Sequence, residues 1–383
     1  MVMENKRTIL ILTDWYLPAY KAGGPVQSLA GLVSAMRSQF NFLILCSAYD
    51  AFSKTPLQVE MDTWQKRETG ESVFYLSRKQ MRANTVSALI EKTDCDLIYL
   101  NSLFSSQFSI FPMINFFLGR INKPIVLAPR GMLGEGALSI KSSKKTGFIQ
   151  LAKMGGLQSK IRWHATADAE AEDIFRVFGK KARISVIPNL SPYRTEPRTN
   201  FEKARGQLKI CFISRISVKK NLLFAVEVLH EMHQGNITFD IYGPPEDLEY
   251  LEICKKRMSG LPGNVKANYY GELHPGQIGE TLKKYHCFFL PTLNENYGHA
   301  IVEAMQNGCI PLLSDQTPWN QIGSEKLGFC FNLEKKEEFI VAITAILQLD
   351  ADSFKMQSIN IQHFILKKEQ REETCRAYFD LFK

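Results

Sequence analysis

The sequence predicts two doubly wound α/β domains in tandem, and three observations carry that expectation. Short β-branched and aliphatic runs alternate with longer stretches of helical spacing along nearly the whole chain. The runs are continuously apolar, as strands are when a parallel sheet is covered on both faces. One polar stretch at 189–206, containing Pro192 and Pro197, interrupts the alternation near the middle of the 383 residues. Each side of it is long enough to bury a core of its own.

Strands are expected at 8–13, 42–46, 73–76, 97–100, 125–127, 162–165 and 184–187, with intervening helices such as 28–36 and 169–177. The polar stretch suits a surface linker. Strands resume at 210–213, 239–242, 265–269, 287–290 and 310–313, with helices at 222–230, 248–258, 277–284 and 300–307. The tail from 353 has helical character, and Tyr378, Phe379, Leu381 and Phe382 give it apolar surface to dock. In such folds ligands sit at the carboxyl ends of the strands, so the loops there hold the candidates.

Composition removes several classes. The longest nearly unbroken apolar run, 108–118, is far below the roughly 20 residues that span a bilayer. The amino terminus leads straight into a strand-like run and lacks the layout of a signal peptide. Eight scattered cysteines with no C-x-x-C pair fit reduced thiols in a cytoplasmic protein and argue against a disulfide framework or a zinc site. The formal charge of +8 is lopsided: residues 1–190 hold 24 basic and 15 acidic side chains, residues 191–383 hold 23 and 24. An anionic partner is therefore expected for the first half.

Three loops can carry chemistry. After the first strand, Gly23-Gly24 permits close backbone approach to a ligand, and the helix that follows presents free N–H groups to an anion. A plain glycine turn accounts for it equally well. After the first strand of the second half, Arg215 and Lys220 can neutralise a diphosphate, the one with forked donors and the other as a point charge. A solvated basic loop is the blander reading. Most informative is Asn294-Glu-Asn-Tyr-Gly-His-Ala-Ile-Val-Glu303: Glu295 and Glu303 are eight apart, so both can lie on one side of a helix. Backbone donors at Gly298 beside two carboxylates suit a polyhydroxyl ligand carrying phosphate. An acidic capping turn explains one glutamate but poorly explains Glu303, surrounded by Ala300, Ile301, Val302, Ala304 and Met305.

With Leu290-Pro291 before it and Glu-Ala-Met-x-x-Gly308 within it, this third motif resembles that of retaining glycosyltransferase family 4, of the GT-B fold. The likeness extends to Gly23-Gly24, Pro129-Arg-Gly-Met-Leu133, His164-Ala-Thr-Ala-Asp-Ala-Glu170, Ile187-Pro-Asn189, Arg215 with Lys220, and Ser314-Asp-Gln-Thr-Pro-Trp319. It implies two Rossmann-like domains facing across a cleft, divided as 1–188 and 189–365, with a terminal helix at about 366–383 packing back on the first. It also implies residue roles. Glu303 would hold the ribose hydroxyls of a UDP- or GDP-linked sugar. Glu295, Asn296, Tyr297 and Gly298 would hold the transferred sugar. Arg215 and Lys220 would bind the diphosphate and stabilise the leaving nucleotide, with Glu295 completing the catalytic set. Gly23 and Gly24 would approach the donor from the first domain, and the base would lie near Gly243, Glu272 and Leu273. Asn101, Arg130 and His299 would meet the acceptor or the sugar.

Asn101 stands where many relatives have a histidine. It cannot act as a general base, but the family's retaining mechanism needs none. No metal or cofactor is expected: the two D-x-D spellings, 94–96 and 350–352, fall at a strand start and an inter-helix turn. The basic amphipathic segment 141–160 reads as a solvated helix face, or more sharply as contact with an anionic membrane or a lipid-linked acceptor. The function expected is transfer of a sugar to a glycan or lipid-linked glycan in cell-surface polysaccharide biosynthesis, in the cytoplasm at the inner face of the membrane. The alternative is a catalytically silent sugar-nucleotide-binding scaffold. Nucleic acid is not an expected partner.

Overall fold

The computed structural model describes residues 6–134, 138, 142–190, 198–368 and 371–383; residues 191–197 of the polar stretch and Lys141 of the basic segment lie outside them. The chain divides into two compact units, Met1–Tyr193 with Arg371–Lys383, and Arg194–Gln370.

The first unit holds β1 (Thr8–Leu12), β2 (Asn41–Ser47), β3 (Trp64–Lys66), β4 (Ser72–Leu76), β5 (Leu97–Leu100), β6 (Ile125–Leu127), β7 (Arg162–Ala165) and β8 (Arg183–Val186). They form one sheet in the order β3-β4-β2-β1-β5-β6-β7-β8, parallel except where β3 runs antiparallel to β4. Alternate side chains point to opposite faces, and both faces are dry. Ile9 and Ile11 pack with Leu29, Leu32, Val33 and Met36 of helix Gly24–Met36 and with Tyr378, Leu381 and Phe382 of the last helix, Arg371–Phe382. Leu10 and Leu12 face the other way, toward Ile90, Met113, Ile149 and Ile174 from four further helices.

The second unit holds β9 (Gln207–Ile213), β10 (Asn236–Tyr242), β11 (Val265–Gly271), β12 (Cys287–Leu290), β13 (Ile310–Ser314) and β14 (Phe329–Phe331), in the order β11-β10-β9-β12-β13-β14. Its one core collects Phe212, Phe239, Phe288, Phe289 and Phe339.

In each sheet the chain builds outward from its first strand, then returns to that strand's other side. The reversal points are the β1–β5 and β9–β12 pairs. There the loops diverge and leave a crevice at the carboxyl ends. Two strands have no counterpart in the sequence expectations, β3 and β14. Both are three-residue edge strands, too short to show a period. The helix expected at 277–284 is a 3-10 turn followed by the short helix Ile278–Leu282.

Phe382 is fully buried, with its ring edge-on to Phe40 and Tyr99 at 5.6 Å each. Phe382→Ala is expected to destabilise the first unit by about 3–5 kcal/mol, read from the urea midpoint. A loss below about 1 kcal/mol would show that the last helix is not part of that core.

Candidate functional site

The candidate residues of the second unit gather on the loops that leave β9 and β12. The Lys219 carbonyl fastens these loops together by accepting from Leu293 N at 2.8 Å and Thr292 Oγ1 at 3.0 Å. Lys220 ends a 3-10 turn, Val218–Lys220, and Asn221 then turns the chain into helix Leu222–His230 at φ 58°. The turn aims the buried Lys220 ammonium across the reversal point, where Nζ meets Glu295 Oε2 at 2.5 Å. Burial pushes the Glu295 carboxyl up, but the Lys220 charge and hydrogen bond, with Lys219 behind them, outweigh it and hold the pKa below its ordinary value. Glu295 is therefore a carboxylate, and its Oε1 accepts from Asn296 N at 3.1 Å.

The loop 294–298 is braced from β13's side. Glu295 N donates to the Gln316 carbonyl at 2.9 Å, and Trp319 Nε1 to the Tyr297 carbonyl at 2.6 Å. This gives the Ser314–Trp319 motif a physical purpose. Gly298 caps helix His299–Gln306 at φ +79°, where a Cβ would stand 2.7 Å from Ile301 Cδ1. The His299 ring lies 4.8 Å from that of Tyr297. Glu303, in the second turn of the helix, is 7% exposed. Its carboxylate has no hydrogen-bond or ionic partner among the described residues, and burial raises its pKa to about 8. An acid kept neutral by lack of partners is preset to receive hydroxyl donors.

Arg215 lies on the same edge but pairs with Glu246, NH1 to Oε2 at 2.9 Å. Arg215 and Lys220, two of the three cations of the loop, are thus held by carboxylates. Gly243 has φ +145°, and a Cβ there would fall 1.8 Å from the Ser214 carbonyl oxygen, so its missing side chain lets the loops after β9 and β10 touch. Gly243 N donates to the Gly271 carbonyl at 2.7 Å, which brings Glu272 and Leu273, just past β11, to the same end of the sheet.

In the first unit Gly23, at φ 69°, caps helix Gly24–Met36, and Asn101 directly follows β5 with 2% exposure. Asn101 Oδ1 accepts from Arg130 Nε at 2.6 Å. The same guanidinium donates to Asn189 Oδ1 at 2.5 Å and to the Tyr99 hydroxyl at 2.9 Å. Its backbone has φ 58°, and the neighbouring Gly131 N–H is held by Glu170 Oε1 at 2.6 Å. The chain of bonds continues from Tyr99 OH to His164 Nδ1 at 2.7 Å, and from His164 Nε2 to the Ile187 carbonyl at 2.8 Å. Burial first, and then the Arg130 charge, press the His164 pKa to about 3. The ring is neutral, Nε2 must donate to the carbonyl, and Nδ1 accepts from Tyr99.

Three participants escaped sequence reasoning. Glu246 lay in no motif, whereas Gln316 lay inside the Ser314–Trp319 motif with its bracing carbonyl unmarked. Asp14 and Ser105, bonded at 2.8 Å across the β1–β5 reversal point, are far apart in sequence; burial raises the Asp14 pKa against the Ser105 bond. The D-x-D aspartates are occupied elsewhere: Asp96 Oδ2 accepts from Thr8 N, and Asp350 pairs with Arg205. Among the described residues no cluster of three or more His, Cys, Asp or Glu could hold a metal ion.

The buried Glu303 sets a pH signature. Its folded pKa of about 8 lies above the ordinary 4.5, so the folded chain keeps a proton that the unfolded chain loses. Stability therefore falls as pH rises from about 4.5 to about 8, by at most ~1.4 kcal/mol per unit. Glu303→Gln removes that dependence. Its stability advantage over the parent should grow across the window and level off above pH 8, read from urea midpoints. Parallel curves would show that Glu303 is not kept neutral.

Residues 194–362, nearly the whole second unit, match the family model for group 1 glycosyl transferases. A curated relative, the sulfoquinovosyl transferase SQD2 of Arabidopsis thaliana, is 26% identical over 172 residues, 43% of this chain and 29% of that protein. The chain thus aligns with less than a third of that relative's length. Two solved structures share the fold over 98% of both chains. They are a sucrose-phosphate synthase from Thermosynechococcus elongatus (14% identical, TM-score 0.73) and Anabaena HepE in complex with UDP and glucose (16%, 0.68). The chain carries the two Rossmann-like units of the GT-B fold, and its second unit carries the group 1 glycosyl transferase domain.

Proposed function

We propose that this chain is a retaining glycosyltransferase of family 4. It moves a sugar from a UDP- or GDP-linked donor to a glycan or lipid-linked glycan acceptor in cell-surface polysaccharide biosynthesis. The reaction takes place at the cytoplasmic face of the membrane, without metal or cofactor. The observation that carries the reading is the Lys220–Glu295 pair at the β9–β12 reversal point, with Arg215 on the same edge and, in the adjoining helix, the buried Glu303, which has no partner among the described residues. The UDP and glucose bound by HepE favour a nucleotide-sugar donor.

In this reading Glu303 accepts from the ribose hydroxyls and ionises as they bind. Arg215 and Lys220 receive the diphosphate, and Glu295 turns toward the hydroxyls of the transferred sugar with Asn296, Tyr297 and Gly298. The acceptor hydroxyl attacks the anomeric carbon from the face that the diphosphate leaves. The bond from that carbon to the β-phosphate oxygen breaks, and the same phosphate takes the hydroxyl proton. No side-chain base is needed, so Asn101 does not disable the site. The two cations act by stabilising charge that grows on the leaving diphosphate. In this reading the first unit contributes Gly23 and Gly24 to the donor and Asn101 and Arg130 to the acceptor.

A thermal-shift panel of nucleoside diphosphates and their sugars identifies the donor, since a ligand at 100 times its Kd stabilises by about 2.7 kcal/mol. With that donor, Lys220→Ala and Glu295→Gln should each lower transfer by roughly 100-fold or more while circular dichroism stays that of the parent, and the product's anomeric configuration should match the donor's. Near-parent turnover in both variants would overturn the assignment. Donor binding with neither hydrolysis nor transfer across the acceptor panel would turn it into the silent scaffold.

A further inference from the structure

The basic surplus of the chain has one address. Residues 97–167 hold nine Lys and Arg against the single acid Glu135, a net +8 equal to the charge of the entire protein. Within that stretch, helix Phe111–Phe117 and the pair Ser142–Met154 and Leu157–Lys160 lie on the same face of the first sheet, through Met113, Ile149 and Leu157. They meet at Phe117. The Gly155 backbone lies so close that a Cβ there would stand 3.0 Å from Phe117 Cε1, and the Lys160 ammonium sits 5.2 Å above the same ring.

Around this junction the outer surface is apolar. Leu118 is 61% exposed, Leu151 68% and Met154 84%, with Ile114 at 43%. Leu118 and Met154 each directly adjoin a residue of the Phe117–Gly155 contact. Arg120, Lys123, Lys153 and Lys160 are exposed on the same two segments, which carry no acid. Exposed leucine and methionine on two segments that carry cations and no acid make the surface of an element that lies in a membrane interface rather than through it. In agreement, no described helix is long and apolar enough to cross a bilayer. Two of the ammonium groups lie over aromatic rings of this face, Lys145 over Phe104 at 5.2 Å as well as Lys160 over Phe117.

We propose that this face, centred on Leu118, Leu151 and Met154, docks the first unit on an anionic lipid surface. The proposal gives a location to the membrane placement in the functional reading and rests on it for its purpose, since a lipid-linked acceptor lies in that surface. The apolar side chains enter the headgroup boundary, and the cations lie against the negative surface potential, each contributing roughly fivefold in binding at low salt. Salt weakens the attraction by screening.

The test is cosedimentation of the full chain with phosphatidylcholine vesicles, with and without phosphatidylglycerol. The parent should bind only the anionic vesicles and release as salt rises. Leu151→Gln with Met154→Gln should abolish binding, and Lys123→Gln with Lys153→Gln should weaken it roughly 25-fold. All four positions are exposed and lie outside the donor loops, so nucleotide-induced thermal shift and donor hydrolysis should be those of the parent. Equal binding to neutral vesicles, no binding at all, or variants that bind as the parent would overturn the proposal. So would a concentration-dependent dimer that the Leu151 and Met154 changes dissolve. Each of these results leaves the donor assays untouched, so the docking face can fail while the glycosyltransferase reading stands.

Discussion

The ammonium–carboxylate pair of Lys220 and Glu295 spans the place where the second sheet reverses its winding, and the other donor-side features are arranged around it. At 2.5 Å, with Lys220 nearly buried, the pair is stable only because each charge compensates the other. It also joins two loops that leave neighbouring parallel strands in opposite directions. The Lys219 carbonyl, the Gln316 carbonyl and the Trp319 indole all serve to place those loops. The pair offers an entering ligand a cation for an anion and a carboxylate for hydroxyls, with the exposed Lys219 beside them. The Arg215–Glu246 pair repeats this logic one loop away.

The first unit satisfies a different constraint. Its hydrogen-bond chain runs from Arg130 through Tyr99 to a neutral His164 and ends on the Ile187 carbonyl, while the same guanidinium holds Asn101 and Asn189. The ends of β5, β6 and β7 are thereby fixed to the segment where the chain leaves the unit. Each of the three guanidinium nitrogens has an acceptor, and the Tyr99 hydroxyl passes its own hydrogen on to His164. Asn101 suits this role as an amide: its oxygen takes the arginine and its nitrogen reaches Thr13 Oγ1 at 3.4 Å.

The central strands were legible in the sequence because they are buried on both faces, as in β1, β5, β12 and β13, so their apolar runs are nearly unbroken. Helices such as Leu222–His230 and Leu248–Met258 were legible because a glycine or proline follows within a few residues and the apolar spacing is regular. β3 escaped because Trp-Gln-Lys offers no apolar run, and because an antiparallel edge is decided by pairing with β4 rather than by its own residues. At the site, Glu295, Glu303 and Lys220 were visible as residue types at telling positions. What they touch was not. Glu246 reaches Arg215, and Ser105 reaches Asp14, across 31 and 91 residues, and no local pattern encodes such pairings.

The central claim is that the buried carboxyl of Glu303, which has no hydrogen-bond or ionic partner among the described residues, is completed by the donor's ribose. Its most direct test is the proton balance of binding at neutral pH, measured by titration calorimetry in buffers of different ionisation enthalpy. The ligand should be a nucleoside-diphosphate sugar, whose diphosphate has no ionisation of its own in that range. With a folded pKa near 8, the parent should release close to one proton per donor bound, and Glu303→Gln should release none. Buffer-independent heats for the parent would mean that the donor does not ionise Glu303, and the account of this site would be wrong.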